Sequence, residues 1–193
     1  MKKLTLILFS ILSFFYLTSC EEGFSPNVTP APTEVSIIGQ WKFNSLGAVT
    51  NVKSYEATLD EIKKFSGNNT ATTDSIASLY AYEFKSDSTY IAGDDRGKWN
   101  MSSDKKSVTL TSTQNVGFDG KYQVITYQIA SLTSTDLKLA YKKLVADANG
   151  EIETDGFTDF LYLVVGYYVI QIKGNAVEAN QATSLQTTIS LKR

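Results

Sequence analysis

The stretch from Tyr82 to Thr111 constrains the fold more than any other part of the chain. It reads YEFKSDSTYIAGDDRGKWNMSSDKKSVTLT. Tyr82 and Phe84 alternate with Glu83 and Lys85, Tyr90 and Ala92 with Thr89 and Ile91, and Trp99 and Met101 with Lys98 and Asn100. Ser86-Asp87-Ser88, Gly93-Asp94-Asp95-Arg96-Gly97 and Ser103-Asp104-Lys105-Lys106 stand between these runs, and Val108 and Leu110 resume the alternation. Successive side chains of a strand point to opposite faces, and Gly, Asp and Ser supply turn chemistry. Alternation broken at short, regular intervals therefore predicts an antiparallel meander.

The same signal recurs along the chain. Val35 to Phe43 reads as an opening strand with Trp41 and Phe43 on one face, in phase with Gly39. Tyr122 to Leu132, then Leu137, Leu139 and Tyr141, then Ser184 to Lys192 read as further strands. Asn149-Gly150 predicts a type I′ hairpin turn. Phe157 to Lys173 is apolar in both phases, with Phe160, Tyr162, Val164, Gly166, Tyr168 and Ile170 in one, and reads as a strand covered on both faces or as the wall of an interface. Gly174 to Thr183 reads as a polar loop. The segment from Leu46 to Leu79 lacks alternation. Tyr55, Leu59, Ile62 and Phe65 fall on one helical face there, with Ser54 as N-cap and Gly67 as stop, and Asp74 to Leu79 adds a short helical turn. Such a helix either packs across one end of the fold or serves as a lid.

The chain contains no histidine and a single cysteine. A Ser-His-Asp triad, a Cys-His pair, an internal disulfide and a Cys/His zinc site are thereby excluded. The acids Asp94, Asp95, Asp147, Glu151, Glu153 and Asp155 fall in predicted turns, without a spacing that marks paired catalytic carboxylates. Asp147-Ala148-Asn149-Gly150 begins like a calcium loop, but the glycine comes too early and no Glu closes the loop. No phosphate-binding glycine loop is present. The expectation is a protein that is not an enzyme, with no cofactor and no metal. Net charge is −2, and losing Lys2 and Lys3 with residues 1–19 takes Lys plus Arg from 18 to 16 against 20 acids. That balance predicts no nucleic-acid partner.

The solitary Cys20 has its own context. Met1-Lys2-Lys3 is a basic start, Leu4 to Leu17 an apolar run too short to span a bilayer, and Leu17-Thr18-Ser19-Cys20 follows. This resembles the lipobox of bacterial lipoproteins. The resemblance implies that residues 1–19 are a signal peptide and that Cys20 becomes the N-terminus, carrying acyl chains such as palmitate. Glu21-Glu22 resembles the surface-export tag of some Gram-negative lipoproteins, and ordinary linker composition accounts for it equally. Residues 20–34, with Pro26, Pro30 and Pro32, read as an extended tether. The folded domain is expected over residues 35–193. Asp74-Ser75-Ile76 and Asp87-Ser88-Thr89 resemble a short O-glycan acceptor pattern, although turn chemistry alone explains both.

Gly39-Gln40-Trp41 resembles the G-x-W signature that opens the first strand of lipocalins. The cadence of Phe84, Tyr90, Gly97-Lys98-Trp99 and Val108-Thr109-Leu110 is similar to that of lipocalin-like domains in bacterial lipoproteins. The resemblance covers about Ile37 to Lys142. It implies an all-β fold, an antiparallel up-and-down lipocalin-like β-barrel with a short helical insert after the first strand. It also implies barrel closure by an arginine from near the chain end over Trp41. Arg193 follows the last predicted strand, the other arginine is Arg96, and a core tryptophan with no arginine partner remains the alternative. Two functions stay open. One is a non-catalytic binding or interaction scaffold that meets a glycan or a protein. The other is a carrier of a small apolar or amphipathic ligand inside the barrel, lined by Tyr82, Phe84, Tyr90 and Trp99. The expected location is the outer membrane of a Gram-negative cell envelope, held by the acyl chains and facing the periplasm or the cell surface.

Overall fold

A computed structural model describes residues 35–116 and 121–193. Residues Val35–Arg193 form one compact unit. Among the described residues, ten strands and four helices follow in the order β1 Gly39–Thr50, β2 Ser54–Thr58, α1 Leu59–Phe65, α2 Thr70–Leu79, β3 Tyr82–Phe84, β4 Thr89–Ala92, β5 Asp95–Met101, β6 Ser107–Val116, β7 Tyr122–Leu132, β8 Asp136–Ala140, β9 Leu144–Val145, α3 Phe157–Lys173, α4 Ala176–Asn180 and β10 Ser184–Lys192. The strands form one antiparallel sheet in the order β2-β1-β3-β4-β5-β6-β7-β8-β10-β9. Pairing of β1 with β10 closes eight of them, β1, β3 to β8 and β10, into a barrel, while β2 and β9 stay outside the ring. This is the lipocalin-like up-and-down architecture that the resemblance implies, built on the meander that the alternation predicts.

The meander lies in the register that the alternation predicts. Tyr82 pairs with Ala92, Tyr90 with Gly97 and Trp99 with Leu110, so one aromatic phase faces inward throughout. The first strand is longer than expected. A register shift between Phe43 and Ser45 moves the inward phase from Trp41 and Phe43 to Leu46 and Ala48. A bulge adds one residue and flips every later side chain to the other face, which period-two counting does not anticipate. One edge of β1 pairs first with β3 and then, past the bulge, with β2.

Four sequence readings are corrected. Ser54 does not cap a helix: Ser54 and Tyr55 belong to β2, and the cap is Thr58. Its hydroxyl accepts from Glu61 N, and Glu61 Oε2 accepts from Thr58 N at 2.9 Å, a capping box that fixes the start of α1. Asn149-Gly150 does not make a type I′ turn, which needs two left-handed residues. Gly150 alone is left-handed there, at φ 85°, and its N–H donates to Asp147 O at 3.1 Å. The Asp147 carboxylate accepts from the backbone N–H groups of Asn149 and Glu151, both at 2.9 Å, and so holds the turn.

The largest correction is Phe157 to Lys173, which is a helix and not a strand. Its buried positions Asp159, Tyr162, Gly166, Val169 and Ile170 follow a helical period. At 17 residues it is also longer than an ordinary strand. Val, Ile and Tyr favour strands, but packing overrides so weak a preference. The helix lies against β1, β2 and β10 at the end of the barrel opposite Gly39 and Lys192. Gly166 allows this approach, since a Cβ there would come within 2.6 Å of Leu185 Cδ2 and 2.8 Å of Thr187 Oγ1. Beside it, Thr187 donates its hydroxyl to Tyr162 O at 2.7 Å. The predicted loop from Gly174 to Thr183 contains the short helix α4, capped by Asn175 through Glu178 N at 2.9 Å.

Candidate functional site

The interior of the barrel holds the residues that the sequence singles out for ligand contact. Tyr82 stacks on Phe84 at 5.7 Å, and Phe84 meets Trp99 edge-on at 5.8 Å. Tyr82, Phe84 and Tyr90 are buried and Trp99 packs against the same core. Their polar atoms have partners within the protein. Trp99 Nε1 donates to Lys85 O at 3.0 Å, and Tyr90 donates to Asp95 Oδ2 at 2.6 Å. Ser112 donates to the other oxygen of Asp95 at 2.6 Å, so this acid, one of the sequence candidates, ties β4, β5 and β6 together.

A chain of phenols crosses the interior. The hydroxyls of Tyr82 and Tyr127 lie 3.2 Å apart, and that of Tyr127 is hydrogen-bonded in turn to that of Tyr162 from α3. Tyr162 stacks on Tyr141 at 4.1 Å. Tyr141 donates to Asp159 Oδ1 at 2.6 Å, Lys142 Nζ lies 2.9 Å from Asp159 Oδ2, and Asp155 N donates to the same oxygen at 2.8 Å. Helix α3 thus closes one mouth of the barrel by inserting Tyr162 and is pinned at its first turn by a buried carboxylate. Gln123 Nε2 adds a bond to Thr158 Oγ1 at 3.2 Å.

Sequence reasoning missed Tyr127, Tyr162 and Asp159 as a group. The only available signal was an acid placed inside the most apolar run of the chain. Burial pushes the Asp159 carboxyl up, but hydrogen bonds from Tyr141, Lys142 and Asp155 N outweigh it, and the carboxyl stays below the ordinary carboxylate range.

The tyrosines carry a testable consequence. Burial pushes Tyr82 up to about 12, opposed by the hydrogen bond with Tyr127 and helped by the Asp95 charge. Burial, reinforced by neighbouring phenols, holds Tyr127 and Tyr162 well above the ordinary value of 10.0. A raised phenol pKa contributes stability that is complete below pH ~10 and is lost as pH rises above it, because only the unfolded chain ionises there. In an alkaline titration, the phenolate signal of these residues should therefore appear together with the loss of the strand signal in circular dichroism. Full ionisation of all tyrosines with the fold intact would contradict this.

The opposite end of the barrel is closed by Trp41 and Arg193. The Trp41 indole donates to Ile37 O at 2.7 Å, and the Arg193 guanidinium lies 4.3 Å from its ring centre. Arg193 Nη2 donates to Ser36 O at 2.8 Å and Ile38 O at 2.7 Å, and Nη1 to Ser134 O at 3.3 Å. Gly39 adopts φ 138°, and a Cβ there would lie 3.3 Å from Arg193 Nη2, so glycine two residues before the tryptophan suits both backbone and arginine. Arg96 sits on β5 opposite Ile91.

Two clefts lie outside the barrel. One of about 220 Å³ is lined by Thr126, Gln128, Tyr141 and Lys142. The other, about 440 Å³, is lined by Glu61, Lys64, Phe65, Ile172 and Lys173. Lys173 lies 2.5 Å from Glu61, and this hydrogen bond is the main reason the Glu61 carboxyl falls to about 2. Among the remaining acids, Asp155 pairs with Lys142 at 3.2 Å, Asp147 holds its turn, and Glu151 and Glu153 are exposed. Among the described residues no group of three or more His, Cys, Asp or Glu could hold a metal ion, and no helix is long and apolar enough to cross a membrane. Cys20, the expected signal peptide over residues 1–19 and the expected tether over residues 20–34 lie outside the described residues. Comparison with protein families, with curated proteins and with solved structures finds no match to this chain.

Proposed function

We propose that the chain is a lipid-anchored envelope lipoprotein with a lipocalin-like domain, held in the outer membrane of a Gram-negative bacterium through Cys20, whose barrel is a non-catalytic scaffold working through its outer surface. The scaffold reading is carried by one observation: the rings of Tyr82, Phe84 and Trp99 pack on one another, as do those of Tyr127 and Tyr162, Tyr90 is buried in the same core, and the polar atoms of these residues bond within the protein. An eight-stranded barrel is only just wide enough to be filled by its own side chains or to hold one small ligand. Here large side chains take that space. The anchoring reading is supported by the basic start, the apolar run and Leu17-Thr18-Ser19-Cys20.

Two or more acyl chains would make anchoring close to irreversible, since each buried CH₂ contributes about 0.8 kcal/mol. Metabolic labelling with a fatty acid should mark the wild-type chain, and Cys20→Ala should abolish the label and release the protein from the membrane fraction. Labelling of the variant equal to wild type would sink the anchor. The scaffold's partner is a glycan or a protein and not nucleic acid.

A further inference from the structure

We infer that the outer face of α3 is where a second copy of this chain docks, antiparallel, about a two-fold axis near Val164. The inference needs only the folded barrel and is independent of whether Cys20 is acylated. A helix packed on a domain ordinarily turns a polar or charged face to water. Helix α3 instead exposes Phe160 by 53% and Val164 by 46%, with the half-buried Tyr168 one turn further on the same ridge. Phe65 of α1, 49% exposed, extends this ridge by meeting Tyr168 edge-on at 5.3 Å. Asp159 and Lys173 are the only charged residues in the helix, and Asp159 is buried beneath it. Contiguous apolar surface of this kind marks an interaction site.

The charges at the two ends of the ridge identify the occupant. Exposed Glu153 leads into the helix and exposed Lys64 stands at its far end beside the 440 Å³ cleft, while Asp155 and Lys173 are each paired within the chain, with Lys142 at 3.2 Å and with Glu61 at 2.5 Å. An antiparallel copy related by a two-fold axis places acidic end against basic end twice. An isologous interface requires this self-complementarity. Positions mirrored about Val164 bring Phe160 of one copy onto Tyr168 and Phe65 of the other, and the Glu153 end opposite the Lys64 end. The two helix dipoles then also run head to tail. A membrane surface would be matched by the lysine end and repelled by the acidic end, so the ridge suits it less well.

The test uses the full chain in the cells that produce it. On mild oxidation, Val164→Cys should yield a dimer-sized band, several-fold stronger than wild type, whose only cysteine is Cys20. It should also exceed Ile38→Cys, an exposed position at the opposite end of the barrel. In the Val164→Cys background, Lys64→Glu or Glu153→Lys alone should reduce the band several-fold, and the two together should restore it. The proposal is overturned if cross-linking at Val164 is no stronger than at Ile38. It is equally overturned if the double reversal fails to restore what the single reversals lose, the result expected of a face covered by lipid or by a different protein.

Discussion

Replacing Trp41 with alanine is expected to lower the free energy of unfolding by about 3–5 kcal/mol, the cost of removing a buried aromatic side chain that cannot be refilled. The indole is among the largest fully buried side chains, and its N–H is committed to Ile37 O. Its loss also removes the ring beneath the Arg193 guanidinium. Arg193→Ala should cost less. A cation over an indole contributes about 0.5–2 kcal/mol, and the bonds from Arg193 to Ser36 O and Ile38 O lie at the surface. Urea unfolding followed by circular dichroism checks both. Domains of this kind are stable by about 5–15 kcal/mol, so Trp41→Ala should move the midpoint far. A loss below about 1 kcal/mol, or an Arg193→Ala loss greater than that of Trp41→Ala, would contradict the closure described.

The second large effect belongs to Tyr162. Tyr162→Ala removes the ring that α3 inserts between Tyr127 and Tyr141 and strands the Tyr127 hydroxyl on that side. The expected cost is about 3–5 kcal/mol, as for other large aromatic truncations in cores. Tyr162→Phe keeps both ring contacts and deletes only the hydroxyl bond, so it should cost about 1 kcal/mol. Hydrogen exchange adds a local readout. In Tyr162→Ala the amides of α3 should lose protection well before those of β5 to β7, because the helix has lost its plug while the strands keep their ladder. Equal costs for the two variants would mean that the ring does not fill the barrel mouth.

The meander was legible in the sequence because most of its strands bury one face, whereas its closure into a barrel followed from the resemblance. Tyr82, Phe84, Tyr90, Trp99 and Met101 share a phase, and that phase fixes the register. Helix α3 was not legible for the opposite reason. Apolar residues occupy both period-two phases, and the helical period emerges only from which of them are buried. Leu161, Leu163 and Val165 obscure it by being apolar yet only half buried. The bulge between Phe43 and Ser45 leaves no mark in composition. The expected helical insert forms as α1 and α2, but the barrel mouth is filled by α3, whose Tyr162 meets a partner 35 residues earlier in the chain. A contact between a strand and a helix that was read as a strand lies beyond pattern counting. Trp41 and Arg193 were reached through the G-x-W resemblance, since nothing local to either residue points to the other.

Native mass spectrometry of the protein taken from its own host tests the filled barrel most directly. The account predicts the mass of the polypeptide with any covalent acyl groups and no further small molecule, both for the wild type and when Tyr90 or Trp99 is replaced by alanine in a variant that still folds. A small molecule that travels with the wild-type protein, and is lost from a folded Tyr90→Ala or Trp99→Ala variant, would contradict it and make the barrel a carrier.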